Sequence, residues 1–292
     1  MLLLKLALAS RVLLDAHNCY PENGRFADRI ERALQQGLPV AIEQDLAWFG
    51  GQSILTHEKK PTGAEPGMRE YFFERIRPIV EKELASGDRR RWPVIVLNLD
   101  FKTDEPEHHR AVWQLLGEYE AWLTTAVKNG KSPGKPAKLD LKPVLALTGM
   151  NDVQEKTFYD AVPDGARLRV FGAVQGGAAG VARASNYRRW SNNPWSVVET
   201  GGQEKAGDWN ATDRARLRQL VKEAHKRGLW IRFYTLNGHA PEVGPENGWT
   251  RAYNFGSLAA ARERWRAAIE ASVDFVATDQ YEEFAQELRK RH

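Results

Sequence analysis

Three motifs indicate the fold: LLDAHN at residues 13–18, AIEQDL at 41–46 and LTHE at 55–58, whose histidine ends the segment Val12–His57. LLDAHN and AIEQDL belong to segments of strand length, 12–16 and 39–46, that begin with apolar residues and carry polar residues toward their ends. Between them, Phe26, Ile30 and Leu34 recur at helical spacing, and Gly37 ends the predicted helix. The order strand, helix, strand is typical of a parallel sheet covered by helices.

The same alternation continues through the whole chain of 292 residues. It predicts eight strands at 12–16, 39–46, 93–99, 143–147, 168–174, 195–199, 229–235 and 273–278, with a short extended segment at 53–57. It predicts helices at 25–36, 68–84, 105–128, 152–160, 212–227 and 257–271. We therefore predict an α/β fold, a TIM (β/α)8 barrel in a single domain, since such a barrel takes about 250 residues and fits this length. A doubly wound open sheet is the alternative, although no dinucleotide fingerprint follows the first strand.

The N-terminal ten residues, MLLLKLALAS, form an apolar run too short to span a bilayer. They fit either a clipped export signal or an apolar lead-in to the first strand, so residues 11–292 are assigned to the barrel. Localisation stays open between an exported or periplasmic protein and a cytoplasmic one. We expect no transmembrane segment elsewhere.

The net charge of +4 favours an anionic substrate or surface, and no nucleic-acid-binding motif is present, so nucleic acid is not expected as a partner. The one cysteine, Cys19, excludes an intramolecular disulfide and a cysteine zinc site. Ten tryptophans fit a membrane surface or an aromatic lipid pocket, and equally ordinary barrel packing.

The carboxyl ends of the first three predicted strands carry most of the chemically useful side chains. In TIM barrels reactive groups lie at these ends. Three carboxylates at adjacent strand ends repel one another unless a cation neutralises them, and hard oxygen ligands suit Mg²⁺ or Ca²⁺. For any one carboxylate the alternative is an ion pair with Arg or Lys. The residues concerned are His17, Asn18, Glu43, Asp45, His57, Asp100 and Lys102.

Two of these residues are histidines, His17 and His57, which titrate near neutral pH and could remove one proton and deliver another. A structural role is the alternative for each. Lys102 could place its ammonium against a phosphate oxygen, or simply pair with Asp100 or Asp104.

Taken together, AHNCYPENG, AIEQDL, LTHE and NLDFK resemble the motifs of the glycerophosphodiester phosphodiesterase family, a TIM-barrel group of the PLC-like superfamily. Two later segments, WIRFYTLN at 230–237 and VDFVATD at 273–279, also follow in the order that this superfamily uses. The predicted helix at 68 begins too soon for the insertion that this family carries after its second histidine. The Asp-x-Lys form at Asp100 and Lys102 is more similar to the sphingomyelinase D and phosphatidylinositol phospholipase C-like branches, although the cysteines of the venom sphingomyelinases are missing.

The resemblance implies that His17 and His57 are the acid and base pair. It implies that one divalent cation, Mg²⁺ or Ca²⁺, is held by Glu43, Asp45 and Asp100, and that Lys102 contacts phosphate. Asn18, Trp230, Tyr234 and Asn237 are further candidates for the substrate pocket.

The leading hypothesis is a metal-dependent phosphoric diester hydrolase, or cyclising lyase, for glycerophosphodiesters or phospholipid head groups. Its expected partners are a small-molecule or lipid phosphodiester and, secondarily, a membrane surface. A catalytically silent phosphate- or lipid-binding barrel is the alternative. A metal-dependent sugar-phosphate isomerase or aldolase is a third hypothesis, which predicts essential residues spread over more strands.

Overall fold

A computed structural model describes residues 12–22, 24–58, 61–174, 182–243 and 251–290. These residues group into two compact units. Unit 1 takes the described residues of Met1–His17, Val174–Arg183 and Trp190–His292, and unit 2 takes those of Asn18–Ala173 and Ala184–Arg189. The predicted export signal or lead-in, residues 1–10, lies outside the described residues.

The strands and helices alternate in the predicted order. The strands are Leu13–Ala16 (β1), Val40–Phe49 (β2), Gln52–Leu55 (β3), Ile95–Phe101 (β4), Thr125–Val127 (β5), Leu139–Asp140 (β6), Val144–Thr148 (β7), Arg167–Leu168 (β8), Phe171–Val174 (β9), Arg188–Pro194 (β10), Trp230–Tyr234 (β11) and Phe275–Thr278 (β12). The α-helices are Arg29–Gln35 (α1), Glu74–Ser86 (α2), Pro106–Glu118 (α3), Asp152–Glu155 (α4), Ala211–Lys226 (α5), Leu258–Ala271 (α6) and Tyr281–Arg289 (α7). Each described helix is too short or too polar to cross a membrane.

In unit 2 the parallel strands run in the order β9, β7, β4, β2, and β3 folds back antiparallel on β2. The run VIVLNL at residues 94–99, which includes most of β4, is buried along its whole length, as expected for a parallel strand covered on both faces. The register places Val40 opposite Ile95 and Asp45 opposite Asp100. Acidic side chains of two strands are thereby brought to one end of this sheet.

In unit 1 the parallel strands run in the order β1, β12, β11, β10. Leu13 pairs with Phe275, and Trp190 pairs with Trp230. The large side chains Trp190, Trp195 and Trp265 are fully buried here, so these tryptophans act as packing residues.

Each unit therefore contributes four parallel strands, which matches the predicted number of eight. The predicted position of the sixth strand, 195–199, is wrong. Trp195–Val197 is a turn of 3₁₀ helix, and the strand is Arg188–Pro194. Its sequence, RRWSNNP, is largely polar and ends in proline, so a search for apolar runs passes over it.

The predicted helix at 105–128 is also too long. Helix α3 begins with Pro106 at its first turn and ends at Glu118. The chain then extends through Leu123 and two threonines into β5, which joins β6 and β8 in a small antiparallel sheet. β-branched residues favour this extended backbone over helix.

Candidate functional site

Glu43, Asp45 and Asp100 form a compact carboxylate cluster in unit 2. Glu43 and Asp45 alternate along β2 and so share a face, while Asp100 lies opposite Asp45 on β4. Glu43 and Asp45 are buried, and Asp100 is half-buried. One carboxylate oxygen from each residue lies within 4.8 Å of the others. Strand periodicity and register together therefore bring three negative charges to one spot.

The donor set of this cluster fits a hard divalent cation. Two oxygens that bind one Ca²⁺ at about 2.3–2.6 Å are at most about 5 Å apart, and two that bind one Mg²⁺ at about 2.0–2.1 Å are at most about 4 Å apart. The bound of 4.8 Å on this cluster is within the Ca²⁺ limit, and Mg²⁺ would draw the three oxygens slightly closer together. All three donors are carboxylate oxygens, which Mg²⁺ and Ca²⁺ prefer to nitrogen or sulfur. The residues that the sequence suggested as ligands are thus brought together, although the identity of the ion is not fixed by them.

Lys102 lies against the same cluster. Its Nζ is 3.0 Å from Asp45 Oδ2 and 2.8 Å from Asp100 Oδ2. Burial alone would lower the pKa of Lys102, but the charges of Asp45 and Asp100 outweigh it and hold that pKa above its ordinary value. The ammonium is therefore charged at neutral pH and offsets part of the negative charge. The ammonium of Lys102 can pair with Asp100 and also bind a phosphate oxygen, because it has three N–H donors.

Tyr20 is a member of the cluster that the sequence did not single out. Its hydroxyl lies 2.9 Å from Asp45 Oδ2 and 2.8 Å from Asn18 Oδ1. Burial, followed by the charge of Asp45, raises the pKa of Tyr20 well above its usual range, so the phenol stays protonated and donates. Asn18 takes a left-handed conformation with φ of 51°. Because its Oδ1 accepts from the Tyr20 hydroxyl, the side chain of Asn18 helps to hold Tyr20 beside Asp45.

His57 follows β3 and comes near the cluster through the main chain. The amide of Thr56 donates to the carbonyl of Asp45 at 3.1 Å, so the next residue, His57, begins beside the acidic end of β2. Its side chain is exposed. An exposed imidazole at this point could exchange protons with a substrate and with solvent.

His17 lies in unit 1, where its partner is Asp279. The two side chains are 11% and 5% exposed, and His17 Nδ1 is 2.9 Å from Asp279 Oδ1. An ionised carboxylate can only accept, so Nδ1 carries a proton, and in the neutral imidazole the lone pair is then on Nε2. Asp279 thereby fixes His17 in the tautomer that a general base needs. Asp279 follows β12 within VDFVATD, but its 262-residue separation from His17 hid the contact from sequence analysis.

The other predicted pocket residues of unit 1, Trp230, Tyr234 and Asn237, do not lie together. Tyr234 ends β11 and packs edge-on against Tyr253, whose ring in turn packs edge-on against His17. Trp230 begins the same strand, so four residues of extended chain, about 13 Å, separate it from Tyr234. Asn237 is fully buried and bonds to the end of β12. Tyr234 is therefore linked to His17 through the ring of Tyr253, whereas Trp230 lies at the opposite end of β11.

No protein-family model matches the chain. No curated protein sequence matches it either. Solved structures do. A glycerophosphodiester phosphodiesterase from Parabacteroides distasonis aligns with a TM-score of 0.52 and 13% identity, covering 97% of this chain and 98% of that one. A second such enzyme from that organism, titled a glycerophosphoryl diester phosphodiesterase, gives a TM-score of 0.49 at 13% identity, covering 97% and 88%.

A Plasmodium falciparum HPPK-DHPS triple mutant with pteroate aligns with a TM-score of 0.51 and 8% identity, covering 98% of this chain and 49% of that one. At such identities the alignments bear on the fold only, and one fold can host unrelated activities. The sequence prediction of the fold class is confirmed. This chain has the TIM-barrel fold, and in fold it is similar to the glycerophosphodiester phosphodiesterases.

Proposed function

We propose that this protein is a divalent-metal-dependent phosphoric diester hydrolase, or a cyclising lyase, for glycerophosphodiesters or phospholipid head groups. One observation carries the proposal above the others. Three carboxylates, Glu43, Asp45 and Asp100, converge within 4.8 Å, and an ammonium that could bind phosphate lies beside them. The fold alone would serve an isomerase or a synthase equally well.

The same three residues would hold the cation, Mg²⁺ or Ca²⁺. When bound, it would supply a positive charge that draws a phosphate oxygen and stabilises negative charge in the transition state. Lys102 would contact another phosphate oxygen through its ammonium. The Tyr20 hydroxyl would keep the carboxylate of Asp45 oriented while Lys102 turns toward substrate.

His17 and His57 would act as the acid and base pair, as the resemblance implies. His17 suits the base, because Asp279 fixes its Nδ1 proton and would stabilise the imidazolium. In the reaction, His17 Nε2 takes the proton of the attacking hydroxyl, a bond forms from that oxygen to phosphorus, and the bond to the leaving oxygen breaks. His57 gives the leaving oxygen a proton. A hydroxyl of the substrate itself would yield a cyclic phosphate, and water would yield a phosphomonoester.

For the substrate pocket, we keep Lys102 and Tyr234 as the contacts. Asn18 and Asn237 would act through the side chains they hold, Tyr20 and Asp279. Trp230, at the opposite end of β11 from Tyr234, is left out of the pocket. Contact with a membrane surface is part of the proposal only for lipid substrates, and co-sedimentation with phospholipid vesicles measures it.

The test is a substrate panel of glycerophosphocholine, lysophosphatidylcholine, sphingomyelin and phosphatidylinositol, each with Mg²⁺, Ca²⁺ or chelator. We expect metal-dependent turnover of at least one, and a loss of about 10²–10⁴-fold in His17→Ala and His57→Ala. Asp152→Asn, at a carboxylate whose side chain is 92% exposed, is the matched control for Asp45→Asn and should leave turnover unchanged. Tight binding with no product from any substrate would favour the silent barrel instead.

A further inference from the structure

The side chain of Asn237, which the sequence suggests as a substrate contact, is committed to the end of β12. Asn237 is 0% exposed. Its Oδ1 accepts hydrogen bonds from the amide of Asp279 and from the hydroxyl of Thr278, both at 2.9 Å. A main-chain amide can only donate, so these contacts fix which end of the Asn237 side chain is oxygen. The other end, Nδ2, must then donate.

Nδ2 of Asn237 donates to Asp279 Oδ2 at 2.5 Å. The second oxygen of the same carboxylate accepts from His17 Nδ1 at 2.9 Å. Asp279 is therefore held on one side by Asn237 and turned toward His17 on the other. The three side chains form one hydrogen-bond network. Asn237 and His17 each donate to Asp279, one to each carboxylate oxygen.

The main chain of Asn237 is fixed as well. Its amide donates to the carbonyl of Tyr253 at 3.1 Å, and its carbonyl accepts from the amide of Phe255 at 2.8 Å. The ring of Tyr253 packs edge-on against the imidazole of His17, with centroids 6.0 Å apart. One residue thus constrains both the carboxylate and an aromatic ring that contact His17.

We propose that Asn237 is a positioning residue that fixes the carboxylate of Asp279, and through it the tautomer and orientation of His17. The proposal rests on the proposed function, in which His17 is the general base. Without the Asn237 amide, Asp279 Oδ2 loses that hydrogen bond, and the carboxylate is held less firmly against Nδ1 of His17. The imidazole then loses the constraint that keeps its proton on Nδ1 and its lone pair on Nε2.

The experiment compares Asn237→Ala with wild type by ¹⁵N NMR of the histidine rings, with His17 assigned from His17→Gln. We expect the Nδ1-protonated signature of His17 in wild type and a shift toward mixed tautomers in the variant. We also expect kcat to fall about 10–100-fold, typical for loss of a group that orients an active-site residue. KM should change less than about 2-fold, because Asn237 does not touch the substrate.

Asn186→Ala is the matched control, because Asn186 is equally buried, makes its hydrogen bonds to residues 127 and 129, and lies in unit 2. It should leave the His17 signature and kcat unchanged. If Asn237→Ala does not fold, Thr278→Val removes only one of the donors to Asn237 Oδ1 and should shift the signature partway.

The proposal would be overturned if Asn237→Ala kept both the wild-type tautomer of His17 and the wild-type kcat. Where only Thr278→Val folds, an unchanged His17 tautomer in that variant would overturn it. If wild type turns over no phosphodiester, the proposed function fails, but the tautomer comparison still decides whether Asn237 positions His17.

Discussion

Asp45 and Asp100 face each other across β2 and β4, and Lys102 Nζ touches one oxygen of each, at 3.0 and 2.8 Å. Two carboxylates in register on neighbouring strands would repel each other if left alone. The lysine offsets that repulsion, and it contacts two of the three carboxylates that would hold a cation. Ammonium and metal therefore compete for the negative charge of Asp45 and Asp100.

This competition makes Lys102→Met informative. We expect the variant to bind Mg²⁺ or Ca²⁺ at least as tightly as wild type, because the ammonium no longer has to be displaced. Turnover should nevertheless fall about 10²–10³-fold, since a donor to the phosphate is lost. Isothermal titration calorimetry and a phosphodiesterase assay measure the two quantities, with Lys131→Met at an exposed lysine as the control. Weaker cation binding with unchanged turnover would contradict this role.

The buried imidazole of His108 predicts a dependence of stability on pH. It bonds to Ser53 and Thr103, both at 2.9 Å, and burial, followed by the neighbouring His109, lowers the pKa of His108 to about 4. Between pH 6.5 and 4 the unfolded chain binds a proton that the folded chain does not, so stability falls as the pH falls. The full shift corresponds to about 3 kcal/mol at most.

In His108→Gln the free energy of unfolding should fall less between pH 7 and pH 4.5 than in wild type. Urea unfolding at these two pH values measures the difference. His109 contributes in the same direction, because burial also lowers its pKa. His225 is the control of opposite sign, since its bond to Asp274 raises its pKa. Stabilisation by charged His225 is complete below about pH 6.5 and is lost as the pH rises through the raised value. An unchanged pH slope in His108→Gln would refute the assignment.

The buried ion pair of Arg264 and Glu199 predicts a large effect on stability. Arg264 is 2% exposed and Glu199 is 5% exposed, and the guanidinium contacts both carboxylate oxygens, at 2.9 and 2.7 Å. Arg264→Met leaves Glu199 buried without its counter-charge and should cost about 3–5 kcal/mol. Arg110→Met, in an exposed pair with Glu107, should cost under about 1 kcal/mol. Equal unfolding midpoints for the two variants would argue against the buried pair.

Gly238, next to Asn237, has no room for a side chain. An added Cβ would lie 2.4 Å from the carbonyl oxygen of Ser257 and 2.6 Å from the Cβ of Ala261. We expect Gly238→Ala to lower the free energy of unfolding by about 1–3 kcal/mol because the main chain must shift. Gly134→Ala, where nothing lies within 4 Å, is the control. Wild-type stability in Gly238→Ala, measured by thermal unfolding, would show that this segment gives way easily.

Strand periodicity was sufficient to place Glu43 and Asp45 on one face, because side chains alternate along any strand. It could not supply the register that sets Asp45 opposite Asp100, which depends on how the whole sheet packs. The sixth strand was misplaced because RRWSNNP has no apolar run. Local pattern therefore predicted most strands and the three carboxylates that form the cluster, but not the largely polar strand β10.

Contacts between distant parts of the chain could not be predicted from local sequence patterns, for a different reason. Asp279 pairs with His17 across 262 positions, and nothing in either local pattern indicates the other. No local pattern connects Tyr20 with Asp45, although its hydroxyl lies beside that carboxylate. Trp230 and Tyr234 looked alike as aromatic pocket residues, and only their places at opposite ends of β11 separate them.

In the proposed function, phosphodiester turnover requires the cation that Glu43, Asp45 and Asp100 would hold. This requirement is tested most directly by measuring cation binding and the turnover of one phosphodiester over the same range of free Mg²⁺ or Ca²⁺, in wild type and Asp45→Asn. We predict that half-maximal turnover coincides with half-saturation in wild type, and that Asp45→Asn moves both to at least about 10-fold higher cation concentration. Full turnover in excess chelator, or turnover unaffected by Asp45→Asn, would contradict the account.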